Sequence, residues 1–471
     1  MKAFSQSKDI KSWHIPIAMV VSGLLLSYLL FKSPSYAPLA LAFLIALIAT
    51  NKNPILVFCI AFPALQIFYN YTYITRTETH LSLFDSFLLF CAFFLLFQLF
   101  KRKFIEEYTI YLPIFVCVLV LFLYVLIGHG DLPGSVLLIF LVGLWPLLLI
   151  TQFLLNSKQL KAVVVVWLLT FVALSLLWLP ALLSARSNWG QIHLAMQQTT
   201  GPYKYVYEGT SIYLVKYTAI SYQNLLAMAI SIPAFLGIAF TKSRIRYLAY
   251  LALPLIAATI MLSTFLAPFI AMLVGIVIFY SIYFWKSRAL KMGKVLMLIL
   301  ILLTLSIVFL GNPLFRKTAE RSFNFQKDPN FTSRVETMGL ELRGLVETNP
   351  IIGYGSYKYE GMATVKGMRP FMGHSSFPSL AFEYGLLFFI PFIWIFVIII
   401  KRVRESLNRE IRTSADPFVI GMASAFFSAL FSAFLDPVFL IPLTGSVVWL
   451  VAGLILVTNR NNELTLSPEA S

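Results

Sequence analysis

A histidine and a carboxylate stand on either side of the point where a polar segment turns apolar. The stretch is GHSSFPSLAFEYGLLFF, Gly373 to Phe389. His374 lies just before Ser375, Ser376 and Pro378, residue types that start a helix. The positive end of that helix favours the neutral imidazole, which can take up a proton. Glu383 lies in the apolar run, read as a continuous membrane helix, about two turns deep, where a carboxylate costs roughly 2.5 kcal/mol or more. Helical phase sets the two side chains on different sides. His374 is read as the residue facing the reaction, and Glu383 as the acid that anchors the helix or binds an arginine. Asp85, Asp416 and Asp436 also stand at ends of apolar runs. Asp416 serves as an ordinary N-terminal acid. Asp436, before Pro437, suits a tight turn, and Asp85, Glu383 and Asp436 on one side suit a polar cavity open to the outside. There is no HExxH, no phosphate-cradling GxxxxGK[ST], and no zinc spacing among Cys59, Cys91 and Cys117. Neither a metal nor a cofactor is expected.

These residues sit in a chain built for a bilayer. Of 471 residues 59% are hydrophobic and 12% charged, with a mean hydropathy of +0.84; a soluble protein carries about 25% charged residues. Apolar runs long enough to span lie near 15–31, 36–50, 54–70, 81–100, 110–128, 132–155, 160–184, 222–240, 246–263, 265–285, 293–311, 377–400, 416–436 and 438–458. The short second and third runs can form one re-entrant pair. The expected fold class is an all-α polytopic membrane protein with roughly 12–14 transmembrane helices.

Charge orients it. Lys101, Arg102, Lys103, Lys242, Arg244, Arg246, Lys401, Arg402 and Arg404 fall in segments that lie inside if the N-terminus is cytoplasmic, and basic residues are sparse in the short loops opposite. Both termini are therefore expected in the cytoplasm, and His374, Glu383 and Asp436 near the outer face. The net charge of +16 suits topology and anionic membrane lipids. The basic residues are scattered rather than gathered on one domain, so no nucleic acid is expected. The expected segments are an N-terminal bundle (1–184), a first outer loop (185–221), central helices (222–311), a large outer loop (312–376), C-terminal helices (377–458) and a cytoplasmic tail (459–471).

Both outer loops exceed what connection requires. The first is rich in tyrosine and carries Arg186, Lys204 and Lys216. In the second, TSRVETMGLELRGLVETNP predicts a short amphipathic helix. Ser333 and Glu336 have capping-box spacing, Val335, Met338, Leu342 and Val346 make one apolar face, and Asn349–Pro350 ends it. Such a helix could lie on the bilayer with Arg343 snorkelling.

Arg334 leading that helix, then Pro350-Ile351-Ile352-Gly353-Tyr354-Gly355, then His374, then Glu383-Tyr384-Gly385, form an ordered series. It resembles the bacterial O-antigen polymerase and O-antigen ligase superfamily. Tyr222-Gln223-Asn224-Leu225-Leu226-Ala227 resembles a further family segment, whereas Phe265-Leu266-Ala267 stands where the family usually has Ser-Arg-Gly. The resemblance implies a GT-C-like membrane enzyme with its site outside the cytoplasm. It implies inverting, metal-independent transfer of a glycan from undecaprenyl pyrophosphate. The acceptor would be another lipid-linked glycan in a polymerase, or lipid A-core or protein in a ligase. His374 would be the base. Arg334, with Arg186, Lys216 and Arg369, would hold the pyrophosphate, and Arg186, Lys204 or Arg369 would supply the charge of the missing arginine. Glu383 and Asp436 would be structural or supporting acids. A secondary transporter or lipid-glycan flippase is the alternative from another class; the near absence of midplane charge and of paired broken helices speaks against it.

Overall fold

The computed structural model describes residues 54–74, 91–92, 95, 109–127, 133–154, 156–187, 203–207, 210–214, 222–263, 266–287, 329–347, 349–353, 376–409, 416–436 and 438–460. The candidate spans near 15–31, 36–50 and 293–311 lie outside the described residues, as does nearly all of the one near 81–100.

The described chain is helical except for one hairpin. Its helices are α1 (Pro54–Ile74), α2 (Tyr111–Leu126), α3 (Pro133–Phe153), α4 (Ser157–Ser187), α5 (Tyr222–Ala239), α6 (Arg246–Leu262), α7 (Leu266–Ser287), α8 (Pro329–Glu347), α9 (Ser376–Arg409), α10 (Pro417–Leu435) and α11 (Pro442–Arg460). Each predicted span within the described residues is a helix whose ends fall within about four residues of the hydropathy boundaries, except that the one near 377–400 runs on to Arg409. Among the described residues five helical segments are long and apolar enough to cross a membrane: Ser157–Leu177, Tyr222–Ala239, Ala267–Trp285, Ser376–Asn408 and Pro417–Phe434. Shorter apolar helices cover Pro54–Gln66, Tyr111–Leu126, Gly143–Phe153, Arg246–Met261 and Pro442–Thr458. Proline falls inside several of these helices, as at Pro63, Pro146 and Pro233, which neighbouring helices allow in a bundle.

α5 is the central post. Every residue from Asn224 to Ala239 is buried, and α6, α7, α10 and α11 pack around it. Its contact with α10 is backbone on backbone: a Cβ on Gly421 would lie 2.7 Å from Pro233 O and 2.8 Å from Gly237 Cα. Small residues permit such approach where lipid supplies no hydrophobic drive between helices. Buried side-chain bonds then fix the register. Asn224 donates to Gln66 O (2.7 Å), and Gln66 donates to Leu443 O (2.9 Å) and Ser446 Oγ (3.1 Å), so α1, α5 and α11 are tied through one amide pair. Trp167 donates to Ser231 Oγ (3.2 Å), joining α4 to α5, and Ser428 donates to Ala271 O (2.8 Å), joining α10 to α7.

The hairpin pairs β1 (Tyr203–Tyr207) with β2 (Thr210–Leu214), antiparallel, with Tyr203 opposite Leu214 and Tyr207 opposite Thr210. The predicted loop reading of this segment omitted the hairpin.

Candidate functional site

The site is built where α8, the turn after it and the first half of α9 meet. α8 begins at Pro329, a turn earlier than the Ser333 cap predicts, and proline suits a first helical position. Its buried side is also different from the predicted apolar stripe. Glu341, Gly344 and Leu345 are buried, whereas Leu342 and Val346 are exposed, Val346 at 77%. The i, i+3, i+4 trio turns inward because α9 lies against it: a Cβ on Gly344 would collide with the ring of Phe382. Packing on a neighbouring helix therefore overrides the sequence's own hydrophobic period.

α9 is two helices joined across a break. Gly385 has φ 67° and ψ −179°, a conformation essentially reserved for glycine. The break frees main-chain groups, and other elements satisfy them. Leu386 N–H donates to Pro350 O (2.8 Å) and Leu387 N–H to Ile351 O (3.0 Å). From the opposite side, the α2 hydroxyl of Tyr124 donates to Tyr384 O (2.9 Å). The turn that supplies the two carbonyls is itself closed by Gly353 N–H to Asn349 O (2.8 Å), with Gly353 at φ 83°. Gly353 and Gly385 touch directly. A Cβ on either would strike the other's backbone nitrogen, and one on Gly353 would also lie 2.6 Å from Glu383 O. The Pro350–Gly353 run and Glu383-Tyr384-Gly385, far apart in the sequence, are the two halves of one clamp.

The clamp relocates Glu383. It sits at the end of the short first half of α9, two residues before the break, and is only partly buried. The second half then runs apolar from Leu386 to Ile400 before reaching Lys401. Gly385 to Lys401 spans about 24 Å at 1.5 Å per residue, close to one bilayer core. Glu383 therefore belongs to the end of a membrane helix and not to its interior.

Glu341 was missed as a site residue by the sequence reading. Its carboxyl is 2% exposed. Ser379 Oγ, on the face of α9 that carries Glu383 four residues on, donates to Glu341 Oε1 at 3.0 Å. Burial pushes the Glu341 carboxyl up to about 8; the Ser379 hydrogen bond lowers it, and the nearby Glu383 carboxylate raises it further. The signal available in the sequence was Gly344 beside it in GLELRG, a small residue that allows close helix approach.

The start of α9 is pinned separately. Ser376 Oγ, expected to cap its own helix, donates instead to Asp436 O (3.0 Å) and accepts from Phe439 N–H (3.4 Å). Asp436 is 2% exposed and ends α10 in extended conformation. Its main chain thus lies beside Ser376, two residues after His374 in sequence. Of the other predicted residues, His374, Lys216 and Arg369 lie outside the described residues, as does Asp85. Arg334 falls within α8 and Arg186 near the end of α4. Among the described residues no group of three or more His, Cys, Asp or Glu could hold a metal.

The segment that carries the clamp can be compared with known proteins. Residues 251–393 match the family model described as O-antigen ligase. This region is similar to the O-antigen ligase family over 143 of the 471 residues. The match runs from within α6 to within α9, so it encloses α8, the Pro350–Gly353 turn, Ser379, Glu383 and Gly385, and also Arg334, Arg369 and His374. Arg186, Lys216 and Asp436 fall outside it. The description of that family names O-antigen ligation. No curated protein matches the chain.

Proposed function

We propose that the protein transfers a glycan from undecaprenyl pyrophosphate to an acceptor hydroxyl at the outer face of a bacterial cytoplasmic membrane, most directly to extend O-antigen or exopolysaccharide repeats. The observation that carries this reading is the family match enclosing the whole clamp, with His374 in the stretch between its two halves. The acceptor oxygen forms a bond to the donor's anomeric carbon as the bond from that carbon to the pyrophosphate oxygen breaks, with inversion. The acceptor proton passes to His374. Undecaprenyl pyrophosphate departs carrying the electron pair, and its charge is met by Arg334 with Arg186, Lys216 or Arg369. Arginine suits this role because it stays charged and binds phosphate with a fork of donors. The chemistry asks for no metal.

The sidedness rests on α9. Lys401, Arg402 and Arg404 follow its apolar half at one end, and the clamp occupies the other. A basic end held in the cytoplasm puts the clamp outside. Asp436 holds Ser376, two residues after His374 in sequence, through its main-chain carbonyl, and the aromatic first outer loop suits sugar contact.

A ligase reading, with lipid A-core or protein as acceptor, is favoured by the description of the matching family. Glycan patterns of a strain that displays the polysaccharide separate the two. His374→Ala, at equal protein level, leaves single-repeat products if the protein is a polymerase. It leaves long lipid-linked chains absent from the acceptor if it is a ligase. Normal long-chain surface glycan would rule out His374 as the base. Lipid-linked units trapped on the cytoplasmic leaflet would point to a flippase instead.

A further inference from the structure

Glu341 is the one acid on α8 turned into the protein. Glu336, Arg343 and Glu347 on the same helix are exposed. One oxygen of its carboxyl accepts from Ser379; the other, Oε2, is buried with no hydrogen-bond partner among the described residues. The packed surface of α9 brings Glu383 to it as the second titratable group, with Ser379 and Phe382 alongside. The turn at 349–353 adds no ionisable side chain. Among the described residues no cation pairs with Glu341. A carboxylate here would be a buried charge lacking a counter-ion among the described residues and facing a second acid, an arrangement that costs several kcal/mol. A carboxylic acid fits the same geometry: one oxygen accepts from Ser379 and the other carries the proton.

We propose that Glu341 is a positioning residue that works as a neutral acid, docking α8 onto the first half of α9 and so holding the clamp on either side of the His374 segment. The word positioning rests on the glycan-transfer reading; the dock itself does not. When α8 separates from α9, Glu341 returns to an ordinary carboxyl near 4.5, whereas the docked group holds its proton up to about 8. Docking therefore takes up a proton between those limits. Its proton-linked support is complete below about 4.5, falls by up to about tenfold per pH unit as pH rises, and is gone above about 8.

Hydrogen exchange of the α8 amides in the purified full-length protein, corrected for intrinsic rates and followed from pH 5 to 8, reads the dock directly. Wild-type protection is expected to fall steadily across that range. Glu341→Gln is expected to stay level, because the amide keeps an acceptor for Ser379 and a donor in place of the acid proton, and has no charge to gain. In glycan transfer, Glu341→Ala is expected to lose activity at equal protein level and Glu341→Gln to restore it. A level wild-type profile, a Gln variant that falls in parallel with wild type, or undiminished transfer by the Ala variant overturns the proposal. If the wild type transfers no glycan, the exchange slopes still decide the dock, so failure of the transfer reading is distinguishable from failure of this one.

Discussion

Two glycines and one tyrosine hold the break in α9, and Gly385 and Tyr124 each make a separate prediction. At Gly385 a side chain would have to adopt a conformation costing about 1–3 kcal/mol before any clash is counted, and its Cβ would strike Ile351 O and Gly353 N. Gly385→Ala is therefore expected to lower the melting temperature of the detergent-purified protein and to reduce its monodisperse yield; a melting curve that matches wild type would show that the clamp is not formed. Tyr124→Phe removes the donor to Tyr384 O. Leaving that buried carbonyl unpaired costs about 1–3 kcal/mol, so this variant should melt lower while keeping the fold. Both motifs were legible in the sequence as glycine-punctuated runs. Their meeting was not, because nothing local to Pro350–Gly353 states that its carbonyls will be taken by a helix more than thirty residues on. Tyr124 lies 260 residues from its partner, and a lone tyrosine in an apolar run carries no pattern at all.

At the scale of elements, hydropathy located the spans well, since each described helix other than α8 answers to an apolar run of its own. It failed on α8. Val335, Met338, Leu342 and Val346 share a face by period, yet Leu342 and Val346 stay exposed while Glu341 turns inward. Period reports which side a helix would bury alone; Gly344, by admitting Phe382, decides which side it buries here. The exposed Leu342, Val346 and Ile351 remain available to the bilayer surface, which keeps the interfacial reading of α8 compatible with its packing on α9. The proton linkage of Glu341 belongs to this scale as well. It is a property of two helices in contact, and the isolated sequence GLELRG gives no hint of it.

For the whole molecule, the clamp and the basic end of α9 must face opposite sides of the membrane. Gly339 is exposed on α8 with open space around the position of its missing side chain, which makes it a suitable reporter. In a background with Cys59, Cys91 and Cys117 replaced, Gly339→Cys should react with a membrane-impermeant maleimide added to intact spheroplasts. Arg404→Cys should react only after permeabilisation. The reverse pattern would invert the protein and remove the outer-face reading. The basic-residue asymmetry is what the sequence offers for this orientation, and the labelling tests it; the central role of α5 was not legible, because a helix buried on all sides and one facing lipid are equally apolar.

The account as a whole stands on His374 acting as a base within a frame set by the clamp. Single-turnover transfer by purified protein, with a polyprenyl-pyrophosphate-linked glycan as donor and binding of that donor measured in parallel, tests this most directly. His374→Ala should bind the donor as wild type does while its transfer rate falls by about 10²–10⁴-fold. Transfer by the variant at the wild-type rate would contradict the account.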